Sequence, residues 1–143
     1  MVGATGAVGE AVFSILAERK FPVAELVPLA SERSAGAKVE FDGKSLTVKN
    51  LADYDFSGVD IAFFSAGAKV SRAHAPRAAA AGAVVIDNTS EFRYQDDIPL
   101  VVSEVNPEAI AQYANRGIIA NPNCSTMQML VALAPIHRAA GIT

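Results

Sequence analysis

Apolar residues along this chain form two kinds of pattern, and the two alternate. Short unbroken runs at 25–30, 61–65, 83–87 and 117–120 have no polar face, as strands do when a sheet is covered on both sides. Between them lie stretches with helical spacing. Val8, Ala11, Val12, Ile15 and Leu16 make one stripe and predict a helix over 7–20, closed by Phe21 and Pro22. An alanine-rich stretch predicts a second helix over 70–81, with Pro76 kinking it or standing in its first turn and Gly82 capping it. Met127, Leu130, Val131 and Ala134 fall at i, i+3, i+4 and i+7 and predict a third over 125–138, bent or stopped near Pro135. Alternating segments at 38–41 and 44–48 flank Asp42-Gly43 and read as a hairpin. A short strand is expected at 100–102, then a helix over 107–113 with Pro107 at its first position and Asn106 as cap. Strands alternating with helices predict the α/β class: a doubly wound, Rossmann-like parallel sheet with helices on both faces.

Sheets of this kind bind ligands beyond the C-terminal ends of their strands, and the chain's unusual residues gather there. Gly3, Gly6 and Gly9 fit G-x-x-G-x-x-G ahead of the first helix, a variant of the dinucleotide fingerprint in which backbone amides approach a pyrophosphate. Only Met1 and Val2 precede it where about five strand residues are usual, so either the numbering starts inside a longer protein or the first strand is truncated and nearly absent. The run at 25–30 ends in Ser31, Glu32, Arg33 and Ser34. A guanidinium flanked by hydroxyls suits a 2′-phosphate and favours NADP over NAD, although Glu32 argues the other way. The run at 61–65 ends in Ser65-Ala66-Gly67. Arg93 follows the run at 83–87 and reads equally well as a clamp for an anionic substrate or as a solvated charge.

Cys124, the one cysteine, lies where the last run meets the last helix, with Ser125 or Thr126 as candidate caps. Helix-terminal amides there would favour a nucleophilic thiolate, but a lone cysteine is more often a small buried residue. No base stands near it. His137 lies 13 residues on, roughly 20 Å along one helix, and His74 reads as a surface or packing residue. This disfavours a cysteine hydrolase and leaves two readings: an oxidoreductase domain, or an NADP-binding module in which Cys124 has no catalytic task.

Composition narrows this further. The 143 residues are 51% hydrophobic and 19% charged, which fits a globular protein with a real core. A net charge of −3 gives no reason to expect nucleic acid as a partner. One cysteine excludes an internal disulfide, and no Cys/His cluster suggests a metal. No apolar run reaches the roughly 18 residues of a membrane span, and no signal peptide precedes the glycines, so a cytoplasmic location is expected.

Taken in order, GATGAVG (3–9), ASERSAG (30–36), FSAG (64–67), VIDNTSEFR (85–93), SEVNP (103–107) and NPNCST (121–126) resemble the N-terminal part of the aspartate-β-semialdehyde dehydrogenase family across essentially the whole chain. The resemblance implies NADPH-dependent reduction of aspartyl-4-phosphate to aspartate semialdehyde and phosphate, the branch step toward lysine, threonine, methionine and diaminopimelate. It implies that Cys124 forms an acyl-thioester, that Arg93 binds the substrate phosphate, and that the Asn123 amide assists. It further implies that Thr5, Gly6, Ala7 and Val8 line the pyrophosphate, that Ser31, Arg33 and Ser34 hold the 2′-phosphate, and that Ala66 and Gly67 pass near the cofactor. The NADP-binding domain would cover 1–120, and 121–143 would open a catalytic and dimer-forming domain. The family's pattern has proline where Ser103 stands. Its general-base histidine and substrate-binding arginine fall beyond Thr143, so the 143-residue chain is expected to be inactive alone and the complete enzyme to be a homodimer.

Overall fold

The computed structural model describes residues 1–142. Its strands are β1 (Leu29–Ala30), β2 (Lys38–Phe41), β3 (Lys44–Thr47), β4 (Lys49–Asn50), β5 (Ile61–Phe64), β6 (Val84–Asp87) and β7 (Ile118–Ala120). Its α-helices are α1 (Ala7–Glu18), α2 (Ala68–Ala80) and α3 (Cys124–Ala140). β5, β6 and β7 pair in parallel, with Ile61 opposite Val84 and Val85 opposite Ile118, and β1 pairs in parallel with β4. Val2 joins the two groups by parallel bridges to Leu29 and Phe64. The sheet therefore reads β4, β1, Val2, β5, β6, β7. Strand order reverses at Val2, the switch point of a doubly wound fold. Val2, Phe64, Val85 and Ile118 line one face and are almost wholly buried; on the other face Phe63, Val84 and Ile86 are half-buried and Ile61 is exposed.

The Asp42-Gly43 turn has φ of 48° and 72° at its two central residues, the left-handed pair a two-residue hairpin needs. The hairpin it closes, β2–β3, packs on α1 through the Phe13 and Phe41 rings, edge to face at 6.1 Å.

Several elements differ from expectation. Of 25–30, only Leu29–Ala30 is strand, because Pro28 has no N–H to give to the ladder. At 100–102 there is a single bridge, Leu100 to Ala120. Asn106 caps nothing. Its side chain folds back, accepting from the Val102 amide at 2.8 Å and donating to the Leu100 carbonyl at 3.0 Å. Without that cap, Pro107–Asn115 winds as 3-10 helix rather than α. Pro135 does not stop α3, and Pro76 sits mid-helix in α2. Each removes the helix bond to one carbonyl, of Val131 and Arg72, both exposed residues.

The Met1 ammonium donates to the Val27 carbonyl at 2.8 Å, and burial lowers its pKa from 8.0 to about 6. The unfolded chain therefore holds this proton to higher pH than the folded one. Stability should rise with pH between about 6 and 8, by on the order of 2–3 kcal/mol for this group. His74, lowered by burial and by Arg77, adds a rise of the same sign below 6.5. Urea unfolding at pH 5.5 and 8.5, with and without N-terminal acetylation, isolates the amine. The acetylated chain should lose most of the rise above pH 6.5, and an unchanged slope would refute the assignment.

Candidate functional site

Four loops meet at the C-terminal edge of the sheet. The first, Gly3–Gly6, leads into α1. Gly3 has φ of 87°, and a Cβ there would stand 2.8 Å from Ser65 Oγ and 3.2 Å from the Ala66 amide nitrogen. The two glycine-bearing loops, one before α1 and one before α2, thus lie against each other because one of them has no side chain. Gly9 is buried against the backbone of Gly3 and Ala4. α1 opens without a side-chain cap at Gly6, and the Ala7 and Val8 amides take no bond from elsewhere in the described residues. Thr5, Gly6, Ala7 and Val8 are exposed. Bare glycine backbone and unpartnered amides at a helix start fit a pyrophosphate.

The second loop, after β1, turns through a short 3-10 segment, Glu32–Ser34. Ser31 and Arg33 are exposed there and Ser34 half-buried, and none of the three makes a side-chain hydrogen bond within the described residues. The third, Ser65–Gly67, opens α2, with Ala66 and Gly67 exposed.

The fourth group is a clasp between the ends of β6 and β7. Arg93 is half-buried and is no solvated charge: its Nε donates to the Asn121 carbonyl at 2.9 Å and its Nη2 to the Asn88 carbonyl at 3.1 Å. Asn121 Nδ2 donates to Asn88 Oδ1, and the Asn121 amide donates to the Asp87 carbonyl at 2.8 Å. Below the clasp the buried Asp87 carboxylate accepts from Ser71 Oγ at 2.6 Å and Thr89 Oγ1 at 2.7 Å, tying α2 to the loop after β6. Arg72 on α2 meets Glu91 at 2.6 and 2.9 Å and holds that loop from its exposed side.

Three residues after Asn121, α3 begins at Cys124. Its cap is Asn123, whose Oδ1 accepts from the Ser125 amide at 3.0 Å; neither Ser125 nor Thr126 plays that part. Cys124 is exposed, with Sγ 3.9 Å from Asn123 Oδ1, so the reading of a small buried residue fails. The structure thus gathers the glycine loop, Ala66–Gly67, Arg93 and Cys124 along one edge. His137 stays near the far end of α3, its Nδ1 accepting from the Ile142 amide. The Ser71–Asp87–Thr89 cluster and Asn88 have no sequence signature, because their partners come from different elements.

A cavity of about 470 Å³ lies elsewhere, around Met1, Val27 and Ile61 at the opposite end of the strands. Among the described residues no group of three or more potential metal ligands comes together, and no helix is long and apolar enough to cross a membrane.

Comparison with known proteins agrees with this geometry. The family described as semialdehyde dehydrogenase, NAD binding domain, matches residues 1–113. An aspartate-semialdehyde dehydrogenase of a Shewanella strain is 60% identical over 143 residues, and aspartate-semialdehyde dehydrogenase 2 of Vibrio cholerae is 64% identical over 140. The chain spans about 42% of the length of each. The crystal structure of Vibrio cholerae aspartate semialdehyde dehydrogenase II complexed with ASA superposes with a TM-score of 0.95 over 99% of this chain and 46% of that one. The Candida albicans enzyme with NADP gives 0.78 at 29% identity, again over 99% of this chain and 46% of that one. The chain belongs to the semialdehyde dehydrogenase family, as an NAD(P)-binding domain that corresponds to the N-terminal portion of the aspartate-semialdehyde dehydrogenases.

Proposed function

We propose that this domain holds NADP and presents Cys124 as the nucleophile for reductive dephosphorylation of L-aspartyl-4-phosphate, in a complete enzyme that is a homodimer. The observation that carries the reading is the clasp. Arg93 spends two donors on the carbonyls of Asn88 and Asn121, which fixes it beside the loop that leads into Cys124, and its Nη1 has no partner among the described residues. A fixed guanidinium with a spare donor beside a cysteine suits an acyl phosphate, with the phosphate on Arg93 and the acyl carbon at Sγ. The Asn123 Nδ2 group, on the same cap residue, is a second donor for that phosphate.

In the first step the Cys124 sulfur attacks the acyl carbon, a C–S bond forms, and the C–O bond to phosphate breaks with its electron pair leaving on phosphate. The resulting thioester splits one hard step into two. When bound, NADPH would supply the hydride that reduces it. The domain's own share is to cradle the pyrophosphate on the Gly3–Gly9 loop and the 2′-phosphate on Ser31, Arg33 and Ser34, and to leave Cys124 facing the crevice. Residues 1–120 would be the cofactor domain, with 121–143 beginning a second one; the absence of any buried residue in α3 supports that division.

The nearest rival is a cofactor module without chemistry. The two separate in the complete enzyme, by phosphate-dependent NADPH production from aspartate semialdehyde, which a non-catalytic module would not show. Within the cofactor site, Arg33→Ala should weaken NADP binding about 10- to 100-fold, the value of a charge-assisted hydrogen bond, and NAD binding little. Calorimetric titration with both cofactors checks this, and equal losses for the two would remove Arg33 from the 2′-phosphate site.

A further inference from the structure

We propose that Asp87 is a positioning residue: its buried carboxylate holds the loop ahead of α2, against which NADP would lie, in register with the clasp that aims Arg93 and Cys124. The inference rests on the functional reading above. Asp87 ends β6 and is fully buried, with Phe64 beside it on β5 and Ala120 beside it on β7, both apolar and buried. No basic side chain pairs with it among the described residues. Packing alone does not call for a carboxylate here, since replacing a buried polar cluster by apolar groups of the same shape can be nearly neutral for stability.

What the carboxylate holds gives its use. One oxygen accepts from Ser71 Oγ at 2.6 Å and the other from Thr89 Oγ1 at 2.7 Å. Ser71 lies in the first turn of α2, where its amide donates to the Gly67 carbonyl at 3.1 Å. A helical serine ordinarily turns its hydroxyl to its own backbone, and Ser71 spends it on Asp87 instead. Thr89 Oγ1 in turn accepts from the Glu91 amide at 3.3 Å, which shapes the turn leading to Arg93. The Asp87 carbonyl accepts from the Asn121 amide at 2.8 Å, and the Asn121 carbonyl accepts from Arg93 Nε at 2.9 Å. One residue thus ties the turn behind Ala66–Gly67 to both ends of the clasp and touches neither ligand. Hydroxyl-to-carboxylate bonds of this length are charge-assisted, about twice as strong as neutral ones, so the tie is stiff. Hydride transfer needs that stiffness, because a misplacement of about 1 Å between reacting groups costs about 100-fold in rate.

The test compares Thr89→Val, which keeps the side-chain shape and removes the hydroxyl, with Thr89→Ser, which keeps the hydroxyl. Ser71→Ala cuts the same tie from α2. In the intact 143-residue chain, the Arg93 Nε proton is bonded to Asn121 and not to Thr89. By NMR it should exchange with water about five- to tenfold faster in Thr89→Val and Ser71→Ala, one hydrogen bond's worth of local opening, and at nearly the unaltered rate in Thr89→Ser. The Val85 amide, bonded to the Gly117 carbonyl inside the sheet, should stay protected and reports an intact fold. In the complete enzyme, phosphate-dependent NADPH production should lose about 10- to 100-fold in kcat in the two hydroxyl-free variants, with KM for phosphate and for NADP within about threefold, and Thr89→Ser should restore it. Unchanged Arg93 exchange in both hydroxyl-free variants, or equal effects of Thr89→Val and Thr89→Ser, would overturn the proposal whatever the enzyme does. So would losses that fall on KM with kcat unchanged. Faster Arg93 exchange in a complete enzyme that makes no NADPH even unaltered would instead overturn the functional reading, and reduce Asp87 to a structural tie.

Discussion

Replacing Gly9 with alanine should cost the folded domain about 3 kcal/mol. A Cβ at Gly9 would lie 2.7 Å from the Gly3 carbonyl oxygen, 2.8 Å from that of Ala4 and 2.9 Å from the Ala4 carbonyl carbon. All three atoms are backbone, so no rotamer change relieves the clash and α1 must move off the loop. Overpacking in a close-packed interior costs roughly 1–3 kcal/mol, and backbone-on-backbone contact belongs at the upper end of that range. Against a total of roughly 5–15 kcal/mol the thermal midpoint should fall by about 10 °C. Gly6 is the internal control: a Cβ there meets its nearest atom at 3.5 Å, and alanine should change stability by less than about 1 kcal/mol. Thermal melts of the two variants decide it. Equal effects would mean that Gly9 is not where helix and loop touch.

The larger effect on chemistry should come from Cys124→Ser. In the complete enzyme this exchange should lower turnover on the order of 10⁴- to 10⁶-fold, as removal of a nucleophile does when the rest of the site stays in place. In the 143-residue chain the same exchange should abolish labelling by a soft electrophile such as iodoacetamide, since Cys124 is the one cysteine and is exposed. The unaltered 143-residue chain should be labelled once and not turn over. Attack needs only a reachable sulfur, whereas hydride transfer needs cofactor and thioester held in register by more than these residues supply. Phosphate-dependent NADPH production by that chain, proportional to its concentration and lost in Cys124→Ser, would show that the site is complete without further residues.

The sheet was legible in the sequence where apolar residues run on through both faces of a strand. β5 and β6 read as apolar runs although only one face of each, Ala62 and Phe64 and Val85 and Asp87, is fully buried, and the Asp42-Gly43 turn announced its backbone angles through its residue types. The edges were not legible. Residues 26–30 are apolar, but Pro28 has no N–H for the ladder, and only Leu29–Ala30 pairs with β4. Asn106 has the composition of a cap and spends it on Leu100 and Val102, a choice made by the tertiary position of that loop. Glycine spacing and the lone cysteine pointed to the C-terminal edge of the sheet, and the glycine loop and Cys124 do lie at the C-terminal ends of its strands. The attachment of Arg93 to two backbone carbonyls 33 residues apart could not be read, because carbonyls carry no sequence signature.

The 17 residues of α3 bury no side chain against this domain, and near the far end Arg138 donates to the Val105 carbonyl at 2.7 Å through a long, exposed side chain. The helix is about 25 Å long, with Cys124 at its pivot next to the clasped Asn121. A rotation of about 5° about that pivot would sweep the far end through about 2 Å and move the sulfur by a small fraction of that. Mechanically α3 is a reduction lever with its short arm at Cys124: a displacement of ångströms at the far end would leave the sulfur nearly in place.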